Sequence, residues 1–359
     1  MKEKSTSNGV KEIARRAKVS LATVDRVIHN RTGVSEKTKL KVNKIIAELN
    51  YQPNIFARQL ASRKKIEFAV LIPMVSEATS YWKDPLEGVQ QAEKELQPLG
   101  ITTTLYLFDQ EDRRSFARQA AKILRAKPAG ILLAPLFYKE SSAFVKSCQQ
   151  AGIPYVFIDS DIPGMERLSY IGPDLFQSGL LAGHLIRYSI PEKAKILVVN
   201  ISHDISVAKT SAMQHRLLRK EEGMRAYFEQ HKLKNSILKL DCPSTDYPSI
   251  RARLESLFST NPDIGAVYVT NSRVSTVAGF FEGYKRPKPL IIGFDFTEAN
   301  IACLEKGSID FVLCDKPREQ GYRGIMLLHQ GLVLALPVEK TLYMPIDIVT
   351  RENFMYYRN

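Results

Sequence analysis

The chain lacks the marks of several large functional classes. Its four cysteines, Cys148, Cys242, Cys303 and Cys314, are scattered through 359 residues with no CxxC and no histidine at metal spacing. That pattern argues against a disulfide framework or a zinc site and reads as buried thiols. No apolar stretch approaches the roughly 20 residues that span a bilayer. The opening MKEKSTSNGVKEIARR has no apolar run to act as a signal peptide, so a cytoplasmic location is expected. There is no GxSxG, no GxGxxG behind a strand-like run, no P-loop and no HExxH. A nucleophile elbow, a dinucleotide site and a metalloprotease site therefore lack support. His184, His203, His215 and His231 have no setting of carboxylate and nucleophile and read as structural or surface residues. The expectation is no enzyme: no catalytic residue, no cofactor and no metal.

Acidic residues are scarce at the front. The first 65 residues carry 16 Lys/Arg against 5 Asp/Glu, while the other 294 carry 35 against 33. Nearly all of the net charge of +13 thus sits in one small segment. Local positive charge of this kind suits a module that lies against phosphates, because each neutralised phosphate releases a condensed counterion. A disordered basic tail has the same charge but not the helix punctuation found here.

Val10, Ile13, Ala14 and Ala17 follow helical spacing, with Arg15, Arg16 and Lys18 on the other side and Asn8 as a candidate N-cap. Ser20 can cap a second helix from Leu21 to about His29, with Val24, Val27 and Ile28 inward. A third helix begins at Ser35, with a stripe of Leu40, Ile45, Ile46 and Leu49. Two short helices three residues apart make a helix-turn-helix, and the third closes a small core.

Val10-Lys11-Glu12-Ile13-Ala14, Val19-Ser20, Thr23-Val24, Arg26-Val27, Val34-Ser35, Thr38 and Leu49-Asn50-Tyr51-Gln52-Pro53-Asn54 resemble the DNA-binding headpiece of the lac repressor (LacI/GalR) family. The resemblance implies that the second helix enters the major groove of a near-palindromic DNA operator. Its implied contacts are Leu21, Ala22, Thr23, Asp25, Arg26 and His29. Arg26 can donate twice to guanine O6 and N7, or bind phosphate alone. The family usually has Ser at Asp25, where a carboxylate can accept from cytosine N4 or orient Arg26. The family's turn glycine is Lys18, which implies a left-handed residue with a Cβ, at about 1–2 kcal/mol. Behind Pro53, Asn54–Ala61 resembles the family's hinge helix, too short to be stable alone. It brings Asn54, Ala57 and Leu60 to the minor groove, Leu60 as a wedge whose unstacking makes affinity depend on how deformable the central step is. The expected division is a headpiece over 1–53, hinge and linker over 54–65, and a core over 66–359.

In the body, strand-like runs alternate with helical patterns: Phe68–Ile72, Thr103–Leu107, Gly130–Leu133, Tyr155–Ile158, Ile196–Val199, Ala266–Val269 and Leu290–Gly293. Such alternation predicts doubly wound parallel sheets. The spacing restarts after Gly164, which suggests two subdomains and resembles the family's core of periplasmic binding protein type I. That likeness implies three crossings, near 163–167, 294–316 and 338–344. The subdomains would then cover about 66–164 with 316–341, and 165–315 with 342–359. The fold class expected is an all-α headpiece with an α/β core.

Ligands of open parallel sheets bind beyond the carboxyl ends of the strands. Residues suited to a sugar stand there: Tyr81, Trp82, Asp159, Asn271, Asp295 and Asp315. Carboxylates and amides meet ring hydroxyls, and an aromatic face covers ring C–H groups. Asp159, Asn271, Asp295 and Asp315 match effector-contacting positions of the family. Relatives place an arginine near Arg216, Arg219 and Lys220, and the register selects Arg219 and Lys220. Ser160 and Asp315 stand where the related pattern has Arg and Gln, which argues for a neutral sugar, a polyol or an amine-bearing compound. The function expected is a homodimeric transcriptional regulator, typically a repressor, whose operator affinity responds to this effector. The alternative, a sugar-binding receptor of a transport system without DNA function, leaves the basic headpiece unexplained.

Overall fold

The computed structural model describes residues 9–28, 31–49, 51, 65–202, 212–284 and 286–357. The chain divides into two compact units, Met1–Arg63 and Lys64–Asn359. The first has helices α1 (Val10–Ala17), α2 (Leu21–Ile28) and α3 (Glu36–Glu48). Ile13, Ala17, Val24 and Val42 close its core. Helix α1 starts behind Gly9, an N-cap without a side chain. Lys18 ends it in the left-handed region at φ 55° and returns its N–H to Ala14 and Arg15. Ser20 and Ser35 cap the next two helices through the backbone N–H groups of Thr23 and Thr38. Leu40 departs from expectation and is 70 % exposed. The inward stripe is Val42, Ile45, Ile46 and Leu49, at helical spacing, and Leu40 lies about 200° around the helix from Val42.

The second unit contains two six-stranded sheets. The first is built from β1 (Ile66–Pro73), α4 (Lys83–Leu96), β2 (Ile101–Phe108), α5 (Arg113–Ala126), β3 (Gly130–Leu133), α6 (Tyr138–Gln150), β4 (Tyr155–Ile158) and β5 (Ser169–Gly172). The chain then forms α7 (Leu175–Ser189), β6 (Lys195–Ile201), α8 (Ala212–Gln230), β7 (Ile237–Cys242), α9 (Tyr247–Thr260), β8 (Ile264–Val269), α10 (Val274–Ala278), β9 (Leu290–Phe294), α11 (Glu298–Glu305) and β10 (Phe311–Cys314). Helix α12 (Pro317–Leu328) and β11 (Thr341–Tyr343) return to the first sheet, and β12 (Asp347–Val349) closes the second. The orders are β11-β5-β4-β3-β1-β2 and β12-β10-β9-β8-β6-β7, all parallel except β12. Strands β3 and β4 are fully buried apolar runs, as a sheet covered on both faces requires.

The chain crosses between sheets after β5, after β10 and after β11. The first crossing is therefore later than 163–167, because Ser169–Gly172 pairs in parallel with β4 and stays in the first sheet. The third follows Tyr343, so β11, expected to fall partly in the other subdomain, also belongs to the first sheet. Four and three residues are too short to show a period. Two of the crossings feed straight into helices: Asp174 caps α7 through Phe176 and Gln177, and Pro317 opens α12.

Each sheet carries one helix pair packed at backbone distance. A Cβ on Gly88 of α4 would collide with the carbonyl of Arg318 on α12, and one on Gly321 with that of Pro85. In the second, Gly179 of α7 faces the carbonyl of Lys220 on α8, and Gly223 that of Phe176. Backbone cannot yield as a side chain can, so Gly321→Ala is expected to cost roughly 1–3 kcal/mol in urea unfolding. Gly279→Ala, whose Cβ would meet only Tyr247 at 3.8 Å, is expected to be neutral or slightly stabilising. Equal losses at both positions would contradict this packing.

Candidate functional site

Helix α2 is held from beneath by Val24 and Val27, which are buried. Outward stand Leu21, 48 % exposed, Ala22 and Arg26, with Thr23 and Asp25 half covered. Thr23 also bonds the Ser20 hydroxyl at 2.9 Å and so belongs to the cap. Asp25 pairs with Arg31 at 3.1 Å. His29, Asn54, Ala57 and Leu60, with the hinge helix expected over Asn54–Ala61, lie outside the described residues.

In the core, a cavity of about 550 Å³ opens where the carboxyl ends of both sheets meet. From the first sheet it takes Tyr81, Trp82, Glu111, Arg113 and Phe137. From the second it takes Arg216, Lys220, Asn271, Arg273 and Asp295. Strand ends dictate this, since β2, β3, β6, β8 and β9 each run into a lining loop.

The two sheets place an aspartate in the same way. Asp159 follows β4 and Asp295 follows β9 by one residue, both left-handed at φ 66° and 72°. Each gives its N–H to the neighbouring strand, to Ile171 and Leu313. Asp159, 1 % exposed, is then surrounded by donors. Arg216 reaches its two carboxylate oxygens at 2.8 Å each, Tyr81 donates at 3.0 Å and Ser160 at 3.2 Å. A second pair, Glu111 with Arg273 at 3.7 Å, also joins loops of different sheets. Asp295 is held by its backbone: the Asn300 amide, fully buried, takes the carbonyls of Ser272, Phe294 and Asp295.

Charges at this junction depart from their ordinary titration. Burial lifts the Asp315 carboxyl to about 7, helped by Asp295 and Asp159, and its Oδ1 has no hydrogen-bond partner. Burial lifts Asp295 to about 6 against the opposing pull of Lys220 and Arg216. Burial presses the Lys220 ammonium down to about 8, while Asp295 holds it up. Burial keeps the Tyr81 hydroxyl protonated, a donor for Asp159.

A family described as periplasmic binding protein domain matches residues 68–333, and the family of bacterial regulatory proteins named lacI matches residues 9–54. The chain belongs to the periplasmic binding protein family, and its residues 9–54 are similar to the lacI family of bacterial regulatory proteins. Catabolite control protein A of Staphylococcus aureus (strain N315) is 49 % identical over 65 residues, 18 % of this chain and 20 % of that protein. That of Staphylococcus xylosus is 40 % identical over 79 residues, 22 % of this chain and 23 % of the relative. The match thus spans about a fifth of the length of these curated relatives. A crystal structure from Bacteroides fragilis, assigned as a LacI transcriptional regulator, superposes with a TM-score of 0.72 at 26 % identity, over 82 % of this chain and 100 % of the other. GanP, a glucose-galactose binding protein from Geobacillus stearothermophilus, shares the fold at 24 % identity and a TM-score of 0.69, over 81 % and 99 %.

Of the effector candidates in this periplasmic-binding-protein core, Tyr81, Trp82, Lys220, Asn271 and Asp295 line the cavity. Asp159 and Asp315 sit behind that lining, close enough to act on Tyr81, Arg216 and Lys220. Trp82 packs edge-on against Tyr81 at 5.1 Å. Arg219 points elsewhere: it pairs with Glu222 at 2.7 Å and covers the Phe176 ring. Arg216, one turn before Lys220 on α8, lines the cavity instead. Glu111, Arg113, Phe137 and Arg273 were missed, although each lies a few residues past a strand end.

The raised Asp315 carboxyl gives a pH signature. The folded chain binds a proton there that the unfolded chain has lost, so stability falls as pH rises from about 4 to about 7. Asp315→Asn is expected to lift the unfolding midpoint at pH 8 and leave it near wild type at pH 4. A variant less stable than wild type at pH 8 would contradict the assignment.

Proposed function

We propose that the chain is a sequence-specific DNA-binding transcriptional regulator whose operator affinity is set by a neutral polyhydroxy ligand, a sugar or polyol, held in the core cavity. The observation that carries this is one chain with both parts: a basic three-helix unit presenting Leu21, Ala22 and Arg26 outward, and a cavity lined at strand ends by aromatic, amide and carboxylate groups. The protein acts as a homodimer on a near-palindromic operator, with Leu60 of the hinge as a minor-groove wedge. It works in the cytoplasm and performs no catalysis.

Charge selects the ligand class. Each guanidinium lining the cavity already has a carboxylate: Arg216 has Asp159, Arg273 has Glu111 and Arg113 has Glu140. Among the described residues lining the cavity, an anionic ligand would find only Lys220 unspent, with Asp295 and Asp315 opposing it. Asp295, Lys220 and Asn271 suit hydroxyls, and Trp82 and Phe137 suit the C–H face of a ring. The ligand changes operator affinity by binding the open and closed arrangements of the two sheets with different affinity.

Binding-site selection with the full chain tests the DNA half. Arg26→Ala is expected to weaken operator binding by about 1–3 kcal/mol and to relax preference at one base pair. An unchanged sequence preference would remove Arg26 from base reading.

A further inference from the structure

The core carries one strongly basic face. From Arg113 to Ile158, across α5, β3, α6 and β4, there are eight Lys/Arg and one Asp/Glu, while the rest of residues 66–359 has 27 against 32. Helix α5 holds five of the eight and no acid. Arg113 turns to the Phe137 ring and to Glu140. Arg114, Arg118, Lys122 and Arg125 are exposed, and they fall within about 80° of one another around the helix, over about 16 Å of its length. Of these four, among the described residues, only Arg118 has an ion pair, with Asp112 at 3.2 Å, and its side chain stays 64 % exposed. Helix α6, packed against α5, adds exposed Lys139 and Lys146.

Other helices of the core arrange their charge differently. Arg225 with Glu221, Arg251 with Glu255 and Arg323 with Glu319 pair along their own helices. On α5 like charges stand four apart, Arg114 with Arg118 and Arg118 with Lys122, an arrangement that weakens a helix. Arg113 and Arg114 also occupy the first turn, where the helix dipole favours acids. An anionic partner offsets both costs. Resting on the reading of the chain as a DNA-binding regulator, we propose that the outer face of α5 binds the phosphate backbone of duplex DNA without sequence preference, as a second DNA contact in addition to the headpiece.

The make-up of the face favours a phosphate backbone over an acidic protein. Protein interfaces are anchored by large apolar or aromatic side chains and are depleted in lysine. Between Arg113 and Ile158 no large hydrophobic side chain is exposed, and the residues exposed among the cations of α5 are Ala117, Ala121 and Ala126. A protein would find no anchor there. A duplex needs none: over about 16 Å it presents roughly ten phosphates, and small side chains between the cations let the strand come close. The guanidinium forks of Arg114, Arg118 and Arg125 match phosphate oxygens. Contacts of this kind hold a duplex without reading its bases. An operator-bound chain would then hold a second stretch of duplex through its core.

The test uses the full chain with one equivalent of a short operator duplex recovered by binding-site selection, so that the headpiece is occupied. A fluorescent duplex of unrelated sequence is then titrated by anisotropy between about 50 and 200 mM salt. The expected result is a second binding event whose log K falls against log salt with a slope of about −2 to −4, roughly 0.9 for each phosphate neutralised. Arg114→Gln, Arg118→Gln, Lys122→Gln and Arg125→Gln together should weaken it at least about tenfold, leaving sequence preference and unfolding midpoint unchanged. Arg125→Gln alone should flatten the slope by about 0.9. An operator complex that holds no second duplex, or holds it as well in the quadruple variant, overturns the face and leaves the regulator reading standing. Poly-L-glutamate bound by the wild type and lost in the variant, where the duplex is not bound, overturns the DNA assignment in favour of an acidic protein. A chain that selects no operator and binds no duplex in a salt-dependent way overturns the regulator reading and this face with it.

Discussion

The contact on which the core depends is the buried ion pair of Asp159 and Arg216. One partner follows a strand of the first sheet, and the other sits on a helix of the second. Removing two charges from water is costly, and mutual attraction offsets that cost only when the remaining lone pairs are also filled. Here Tyr81 and Ser160 fill them. The backbone of Asp159 is tied down as well. Its N–H meets Gln320, whose amide donates to the Asp315 carbonyl beside the second crossing. Its carbonyl accepts from Tyr170, which also bonds Pro173 at the first crossing. The floor of the cavity and two of its crossings therefore form one hydrogen-bonded unit.

Arg216 Nε is itself left without a hydrogen-bond partner, and around the pair lie further unsatisfied groups. Asp315 has an orphaned oxygen, and among the described residues Lys220 and Asp295 have no hydrogen-bond or ion-pair partner. Such groups lower stability and persist where binding uses them. The glycine contacts of α7 with α8 and of α4 with α12 fix the backbones that carry the helices beside these groups.

Much of this was legible in the sequence because its physics is local. Charge crowded into 65 residues, the spacing of Val10, Ile13, Ala14 and Ala17, and buried strands such as Gly130–Leu133 required only neighbours along the chain. Asp159 and Asp295 were found through the strand-end rule. What escaped depends on partners distant in sequence. Strands β5, β10, β11 and β12 have three or four residues each and owe their identity to the strand beside them. Arg216 and Arg219 are one helical turn apart, and what separates them is their partners, Asp159 of the other sheet for one and Glu222 on the same helix for the other. The ion pair of Asp25 with Arg31 was not foreseen because Arg31 lies beyond the end of the helix that carries Asp25.

A double-mutant cycle on the core pair tests this account most directly, using Asp159→Asn, Arg216→Met and the double variant in urea unfolding of the full chain. The account predicts that each single change strands a buried polar partner, and that the double loses less than the sum, with a coupling of about 1–3 kcal/mol. Losses that add to within about 0.5 kcal/mol would show that the two residues do not hold the sheets together across the cavity.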